Sequence, residues 1–190
     1  MKNPTDVVIA SAARTPVGAF NGSLGSLPAS ELGRTVISAA LDRAEVAPEE
    51  VTEVIMGQIL TAGAGQNPAR QAAIAAGIPV ERTAMVINQL CGSGLRAVAL
   101  GFQSIRNGDA DIVIAGGQES MTNAPYLLPR ARSGLRLGHA DVIDHMFLDG
   151  LEDAYEPGRL MGSFAEDCAD HYSFSREDQD DYAIESLTRA

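Results

Sequence analysis

One cysteine stands where a strand-like run meets a helix-like run. The segment Ala84-Met85-Val86-Ile87 leads through Asn88-Gln89-Leu90 to Cys91, and Gly92-Ser93-Gly94 opens an amphipathic stretch. Helix starts present unpaired N–H groups that carry partial positive charge. Such a site favours thiolate over thiol, and the thiolate is the nucleophile. Glycines at 92 and 94 leave a substrate carbonyl room to approach the backbone. Those residue types in that order point to acyl transfer through a cysteine adduct. Free cysteines also serve as small apolar filler, and local pattern alone leaves both readings open. Ser93 is a poor rival nucleophile, because the G-x-S-x-G elbow needs glycine at 91 and 95, where Cys91 and Leu95 stand.

The elements that must position Cys91 alternate along the chain. Residues 7–10 form a short continuous apolar run, the pattern of a strand covered on both faces. After a loop rich in glycine and proline, Pro28 opens a helix with Leu32, Val36, Ala39, Ala40 and Arg43 at helical spacing. Residues 51–55 read as a second strand. Asn67-Pro68 supplies a cap and a first-turn proline for a helix reaching Ala76 and closed by Gly77. The strand before Cys91 follows, then a helix over 95–107 with Leu95, Val98, Ala99, Phe102 and Ile105 as its apolar stripe. Residues 112–115 read as a fourth strand. This order predicts an α/β fold with a mostly parallel sheet and helices on its faces.

Composition narrows the partners. The 190 residues are 45% apolar with net charge −11, and mean hydropathy is near zero. The chain is globular in type, and its acidity argues against nucleic acid or an anionic membrane as partner. Two cysteines are too few for a disulfide framework, so a reducing compartment is expected. The polar start has no signal-peptide pattern. No run approaches the roughly 18 apolar residues of a membrane span.

The stretch Asn88-Gln89-Leu90-Cys91-Gly92-Ser93-Gly94-Leu95-Arg96-Ala97 resembles the nucleophile segment of thiolases, the acetyl-CoA acetyltransferase and 3-ketoacyl-CoA thiolase family. Three more segments resemble that family in the same order. They are Val8-Ile9-Ala10-Ser11-Ala12-Ala13-Arg14-Thr15-Pro16-Val17-Gly18, Gly65-Gln66-Asn67-Pro68-Ala69-Arg70-Gln71 and Ala115-Gly116-Gly117-Gln118-Glu119-Ser120-Met121. The resemblance implies the N-terminal half of a thiolase-type fold, with a core over 1–120 carrying the nucleophile helix. It implies a partial loop domain, an excursion from the core, over 121–190, and no C-terminal half.

The activity so implied is a ping-pong acyl transfer that makes or cleaves 3-ketoacyl-CoA in fatty acid metabolism. Cys91 takes the acyl group, and its backbone N–H gives part of the oxyanion stabilisation beside the Gly92 and Gly94 turn. Met161 and Leu160 match substrate-lining positions, and Leu160 stands where many acetyl-CoA-specific members have histidine. That change points to a longer acyl substrate. Coenzyme A thioesters are implied as substrates, with no permanently bound cofactor and no metal. The implied partners are acyl-CoA and CoA, together with further copies of the chain or a complementary C-terminal half, and the implied location is cytoplasmic. The family's acid and base groups come from a histidine motif and a second cysteine motif in its other half. His139, His145 and His171 match neither.

Residues 121–160 are irregular, and Arg130, Arg132 and Arg136 gather there in an otherwise acidic chain. A solvated loop is the plain reading, and a contact between subunits or an approach path for an anionic substrate is the sharper one. Met161, Phe164, Ala165, Cys168 and Tyr172 recur at helical spacing, so Cys168 reads as packing. Asp167, Cys168 and His171 are a weak metal pattern. Ser175-Arg176-Glu177-Asp178 reads as an N-cap box for a helix that reaches Ala190 without a stop signal.

Three other readings remain. A ketoacyl-synthase-type condensing enzyme also places cysteine at a helix start. A dinucleotide-binding oxidoreductase has only Gly63-Ala64-Gly65, with Pro68 at the third glycine position. A catalytically incomplete chain, inert or acting in assembly, is the third.

Overall fold

The strand β1 (Glu53–Gly57) organises the fold in the computed structural model, which describes residues 6–189. It lies between β2 (Thr83–Ile87) and β3 (Val113–Gly117) in a parallel sheet of order β2-β1-β3. Val54 pairs with Ala84 on one side and Ile114 on the other. A central parallel strand is covered on both faces and must be apolar throughout. Val54, Ile55 and Met56 are accordingly buried.

Alternation along the strands assigns the faces. Val54 and Met56 join Ile37, Leu41, Ala69 and Ala72 in the main core, with Ala84, Val86, Ile112 and Ile114 packed against it. That face is covered by α1 (Ala29–Ala44) and α2 (Pro68–Ala75). Ala29, Gly33, Ile37 and Leu41 recur every fourth residue on the buried side of α1. α2 contributes Ala69, Ala72 and Ala73, small enough that Gly33 of α1 comes close to the Ala72 methyl. Asn67 caps α2 as its spacing predicts, its Oδ1 accepting from the Arg70 N–H at 3.1 Å. The opposite face is covered by α3 (Ser93–Asn107). There Gly101 packs against Val113 and Ala115, and Ser104 donates to the Glu53 carboxylate. The expected α/β sheet with helices on both faces is present.

Two expectations about the sheet and its helices fail. Residues 7–10 are extended but belong to no strand, and Val8 and Ile9 are 64% and 80% exposed. An apolar run becomes a strand only where a neighbouring ladder accepts its N–H and C=O groups. Here the chain is tied to α1 instead, through Ser11 Oγ donating to the Ala40 carbonyl at 2.6 Å and Arg43 donating to the Ala12 carbonyl at 2.6 Å. Among the described residues the sheet therefore has three strands, not four.

The second failure concerns α3. Leu95, Val98 and Phe102 of its expected apolar stripe are exposed, and the helix buries Ser93, Ala97 and Gly101. The sheet selects the small residues because they let the helix backbone come close.

After β3 the chain is irregular, as expected. A two-residue antiparallel pair, β4 (Tyr126–Leu127) with β5 (Ile143–Asp144), brackets an exposed loop that carries Arg130, Arg132 and Arg136. The chain divides into two compact units between Met146 and Phe147.

The second unit begins with a π-helical turn, Phe147–Leu151, and contains α4 (Met161–Tyr172) and α5 (Arg176–Arg189). Ser175 caps α5 through the expected box: its Oγ accepts from the Asp178 N–H at 3.1 Å, and the Asp178 carboxylate accepts from the Ser175 N–H at 2.9 Å. Cys168 is exposed, not packed. α4 has no buried residue, so a helical period of apolar side chains does not by itself make a core. Among the described residues no helix is long and apolar enough to cross a membrane.

Candidate active site

β2 ends at Ile87 and α3 begins at Ser93, so a five-residue turn carries Cys91. The turn closes through the Gly92 N–H donating to the Gln89 carbonyl at 3.1 Å and the Ser93 N–H donating to the Leu90 carbonyl at 3.0 Å. Leu90 adopts φ 49°, a left-handed conformation that costs a branched apolar residue about 1–2 kcal/mol. Two side chains support it. Asn88 Oδ1 accepts from the Leu90 N–H at 2.9 Å. Ser93 Oγ donates to the Leu90 carbonyl at 2.6 Å and accepts from the Gln89 N–H at 2.8 Å. Ser93 is buried while Cys91 is exposed. The serine dismissed as a nucleophile is thus a brace for the turn. Its adjacency to Cys91 was visible in sequence, but its burial was not.

The helix start sits on the end of β1. A Cβ on Gly57 would stand 2.5 Å from the Ser93 Cβ and 2.8 Å from the Gly94 nitrogen, so this position admits only glycine. Gly92 and Gly94 are under no such pressure, since a Cβ would meet its nearest atoms at 3.4 Å and 3.9 Å. Their bare backbone opens the approach to the turn and relieves no clash within the chain.

Beside this turn the exits of β1 and β3 are joined by buried polar side chains that sequence reasoning did not assign. Gln58 donates its N–H to the Ile87 carbonyl at 3.0 Å, and its Nε2 donates to the Leu60 carbonyl at 2.9 Å. Gln118 Nε2 donates to Gln58 Oε1 at 2.9 Å. The Glu119 carboxylate accepts from the Ile59 and Leu60 N–H groups at 2.8 and 3.1 Å. Burial raises the Glu119 carboxyl above the ordinary carboxylate value, while those two N–H groups and nearby His145 pull it back. His145 Nε2 accepts from the Ala62 N–H at 3.3 Å. The signal available in sequence was a polar residue directly after each apolar strand, Gln58 after β1 and Gln118-Glu119 after β3.

The remaining predicted residues lie apart in sequence and role. Leu160 is the extended N-cap of α4 and Met161 its first residue, both partly exposed in the second unit. Arg159, just before them, lies over the Phe164 ring at 3.8 Å and pairs with Glu156 at 2.8 Å and with Asp167. His171 packs edge-on against Tyr172. His139 lines an open hollow of about 260 Å³ in the arginine-bearing loop, with Arg130 and Arg136. Among the described residues no group of three His, Cys, Asp or Glu side chains is placed to hold a metal ion.

Cys91 therefore lies exposed at the carboxyl ends of a parallel sheet, where ligands bind in open α/β folds. Comparisons with known proteins identify the family. The chain is 58% identical over 186 residues to acetyl-CoA acetyltransferase of Cupriavidus necator, an alignment covering 98% of this chain and 47% of the relative. It is 54% identical over 185 residues to acetyl-CoA acetyltransferase of Pseudomonas aeruginosa, covering 97% and 47%. It is 51% identical over 187 residues to acetyl-CoA acetyltransferase 2 of Arabidopsis thaliana, covering 98% and 46%. The chain thus spans about half the length of the curated relatives it matches. The family model described as thiolase, N-terminal domain, matches residues 7–190, and the chain belongs to the thiolase family.

Proposed function

We propose that this chain carries the acyl-accepting cysteine of an acyl-CoA:acetyl-CoA C-acyltransferase. The observation that carries this reading is the exposed Cys91 on a braced turn at the start of α3. Its sulfur attacks the thioester carbonyl carbon, the carbon–sulfur bond to coenzyme A breaks, and the coenzyme A thiolate leaves and takes up a proton. Negative charge on the carbonyl oxygen develops beside the positive end of α3, where the Cys91 N–H is the candidate donor and Gly92 and Gly94 leave the approach open. The acyl group then passes to the enolate of acetyl-CoA, forming a 3-ketoacyl-CoA, or returns to coenzyme A in the degradative direction. Coenzyme A thioesters are the substrates, and no resident cofactor is needed. The relatives are acetyl-CoA acetyltransferases, which supports an acetyl group. Met161 and Leu160 are assigned to the acyl pocket, and leucine at 160 supports a longer acyl chain as well.

Acylation and condensation make different demands. Acylation needs a thiolate, a bound thioester and an oxyanion donor. Condensation also needs a base for the α-proton of acetyl-CoA, and none is assigned here: His145 holds the Ala62 N–H and His171 packs on Tyr172. We infer that the 190 residues alone form an acyl adduct without sustained condensation, and that a complementary C-terminal half supplies turnover. The exposed Leu95, Val98 and Phe102 on α3, with Met85 on β2, support association with a further copy or with that half. Free thiols at Cys91 and Cys168 fit a reducing, cytoplasmic location in fatty acid metabolism.

A turnover assay with acetoacetyl-CoA and CoA, on the chain with and without the complementary half, tests the reading. Turnover that survives Cys91→Ala refutes it.

A further inference from the structure

We propose that Ser93 and Asn88 are positioning residues for Cys91, their side chains holding the left-handed turn at Leu90 that aims the cysteine at a thioester; this rests on Cys91 being the nucleophile. In the four-residue turn closed by the Gly92 N–H on the Gln89 carbonyl, Leu90 is the second residue and Cys91 the third, so the backbone at Leu90 sets the direction in which Cys91 leaves the sheet. A non-glycine residue with positive φ persists only where its surroundings fix it. Here the surroundings are specific. Asn88 Oδ1 holds the N–H of Leu90 at 2.9 Å, and Ser93 Oγ holds its carbonyl at 2.6 Å. The same Ser93 oxygen accepts from the Gln89 N–H at 2.8 Å, so one hydroxyl clamps both residues before the cysteine.

The clamp is itself anchored. Ser93 is buried, and its Cβ lies over Gly57, where no side chain fits. The hydroxyl therefore has a fixed origin at the start of α3, seated against β1, and the turn is located relative to the sheet. Small displacements of a reacting atom cost large factors in rate. Removing the hydroxyl leaves Cys91 exposed and leaves the Leu90 carbonyl to the Ser93 N–H alone, so Leu90 is held less firmly at its positive φ. Reactivity toward a bound thioester falls, while access of a small reagent to the sulfur does not.

The test follows Cys91 acylation by acetyl-CoA, read by peptide mass spectrometry over a range of acetyl-CoA concentrations, with iodoacetamide labelling of Cys91 measured in parallel. Ser93→Ala is expected to lower the maximum acylation rate about tenfold, the scale of one lost net hydrogen bond at a reacting group. The half-saturating concentration and the iodoacetamide labelling stay at parent level. Ser93→Thr, which keeps a hydroxyl, recovers most of the rate. Asn88→Ala, at an exposed position, lowers the rate in the same direction, and it decides the outcome should Ser93→Ala lose its cooperative melt. Parent-level acylation in folded Ser93→Ala, or in Asn88→Ala where Ser93→Ala fails to fold, overturns the proposal and leaves the nucleophile assignment standing. No adduct on Cys91 in the parent chain overturns both.

Discussion

Gly57 and Ser93 lie in contact across the junction of β1 and α3, so close that a methyl on the glycine would stand 2.5 Å from the serine Cβ. Strand and helix start share one volume, and the helix bearing the site is seated by the absence of a side chain. Gly57→Ala must push the helix start away from the sheet. Overpacking of this kind typically costs 1–3 kcal/mol, so the urea midpoint should fall by the equivalent of about 2 kcal/mol. An unchanged midpoint would contradict the contact.

Cys91→Ala should abolish the acyl adduct formed on incubation with acyl-CoA while leaving the melt unchanged, because the side chain is exposed. Cys168, equally exposed on α4, provides the control. An adduct that moves to Cys168, or persists in Cys91→Ala, would remove Cys91 from the chemistry.

Glu119 gives a pH dependence with a definite sign. Its folded carboxyl is raised above the ordinary 4.5, chiefly by burial. Below pH 4.5 it is protonated in both folded and unfolded chains and no stability is lost. As pH climbs from 4.5 through the folded value, the unfolded chain ionises first and stability declines. Glu119→Gln removes that decline at the constant cost of one acceptor for the Ile59 and Leu60 N–H groups. Urea midpoints taken across the window should therefore shift in favour of the variant as pH rises from 4.5. A gap that is flat with pH, or that moves the other way, would rule out the buried carboxyl as its source.

The site was more legible in sequence than its supports. A strand, a glycine-bearing turn and a helix around Cys91 follow from apolar pattern and breakers alone, and the Asn67 and Ser175 caps follow from side-chain chemistry. The braces do not. Gln58, Gln118 and Glu119 read as loop polarity, because burial of a polar group depends on partners distant in sequence, as Gln118 and Gln58 are at a separation of 60. Residues 7–10 have the composition of a strand, but pairing belongs to the neighbour as much as to the segment. α3 misleads for a related reason. Periodicity finds the large apolar side chains, whereas close packing on a sheet selects the small ones.

Leu160→His tests the acyl pocket. Histidine before Met161 should move the ratio of acetyl-CoA to longer acyl-CoA acylation toward acetyl by about tenfold, the low end of what a hydrophobic pocket discriminates by one methylene. A ratio indifferent to the change would place Leu160 outside the pocket.

The large apolar face of α3 predicts association. Phe102→Asp, at a position 49% exposed, should leave the fold intact and lower the apparent mass in light scattering at micromolar concentration. A parent chain already monomeric there would dismiss this face as an interface.

The small face of α3 has a mechanical consequence. The helix bears on the sheet through Ser93, Ala97 and Gly101, with Ser93 on Gly57 at its start and Gly101 on Val113 farther along, where an added Cβ would stand 3.0 Å from a valine methyl. A rigid rod lying along a row of supports tilts when the far one is raised. Gly101 lies eight residues beyond Ser93, about 12 Å along the axis at 1.5 Å per residue. A methyl there touches nothing near the thiol, yet it would tip the rod about its forward support and swing Cys91. The aim of the sulfur is thus adjustable from the far end of its own helix, by residues that no inspection of the turn would single out.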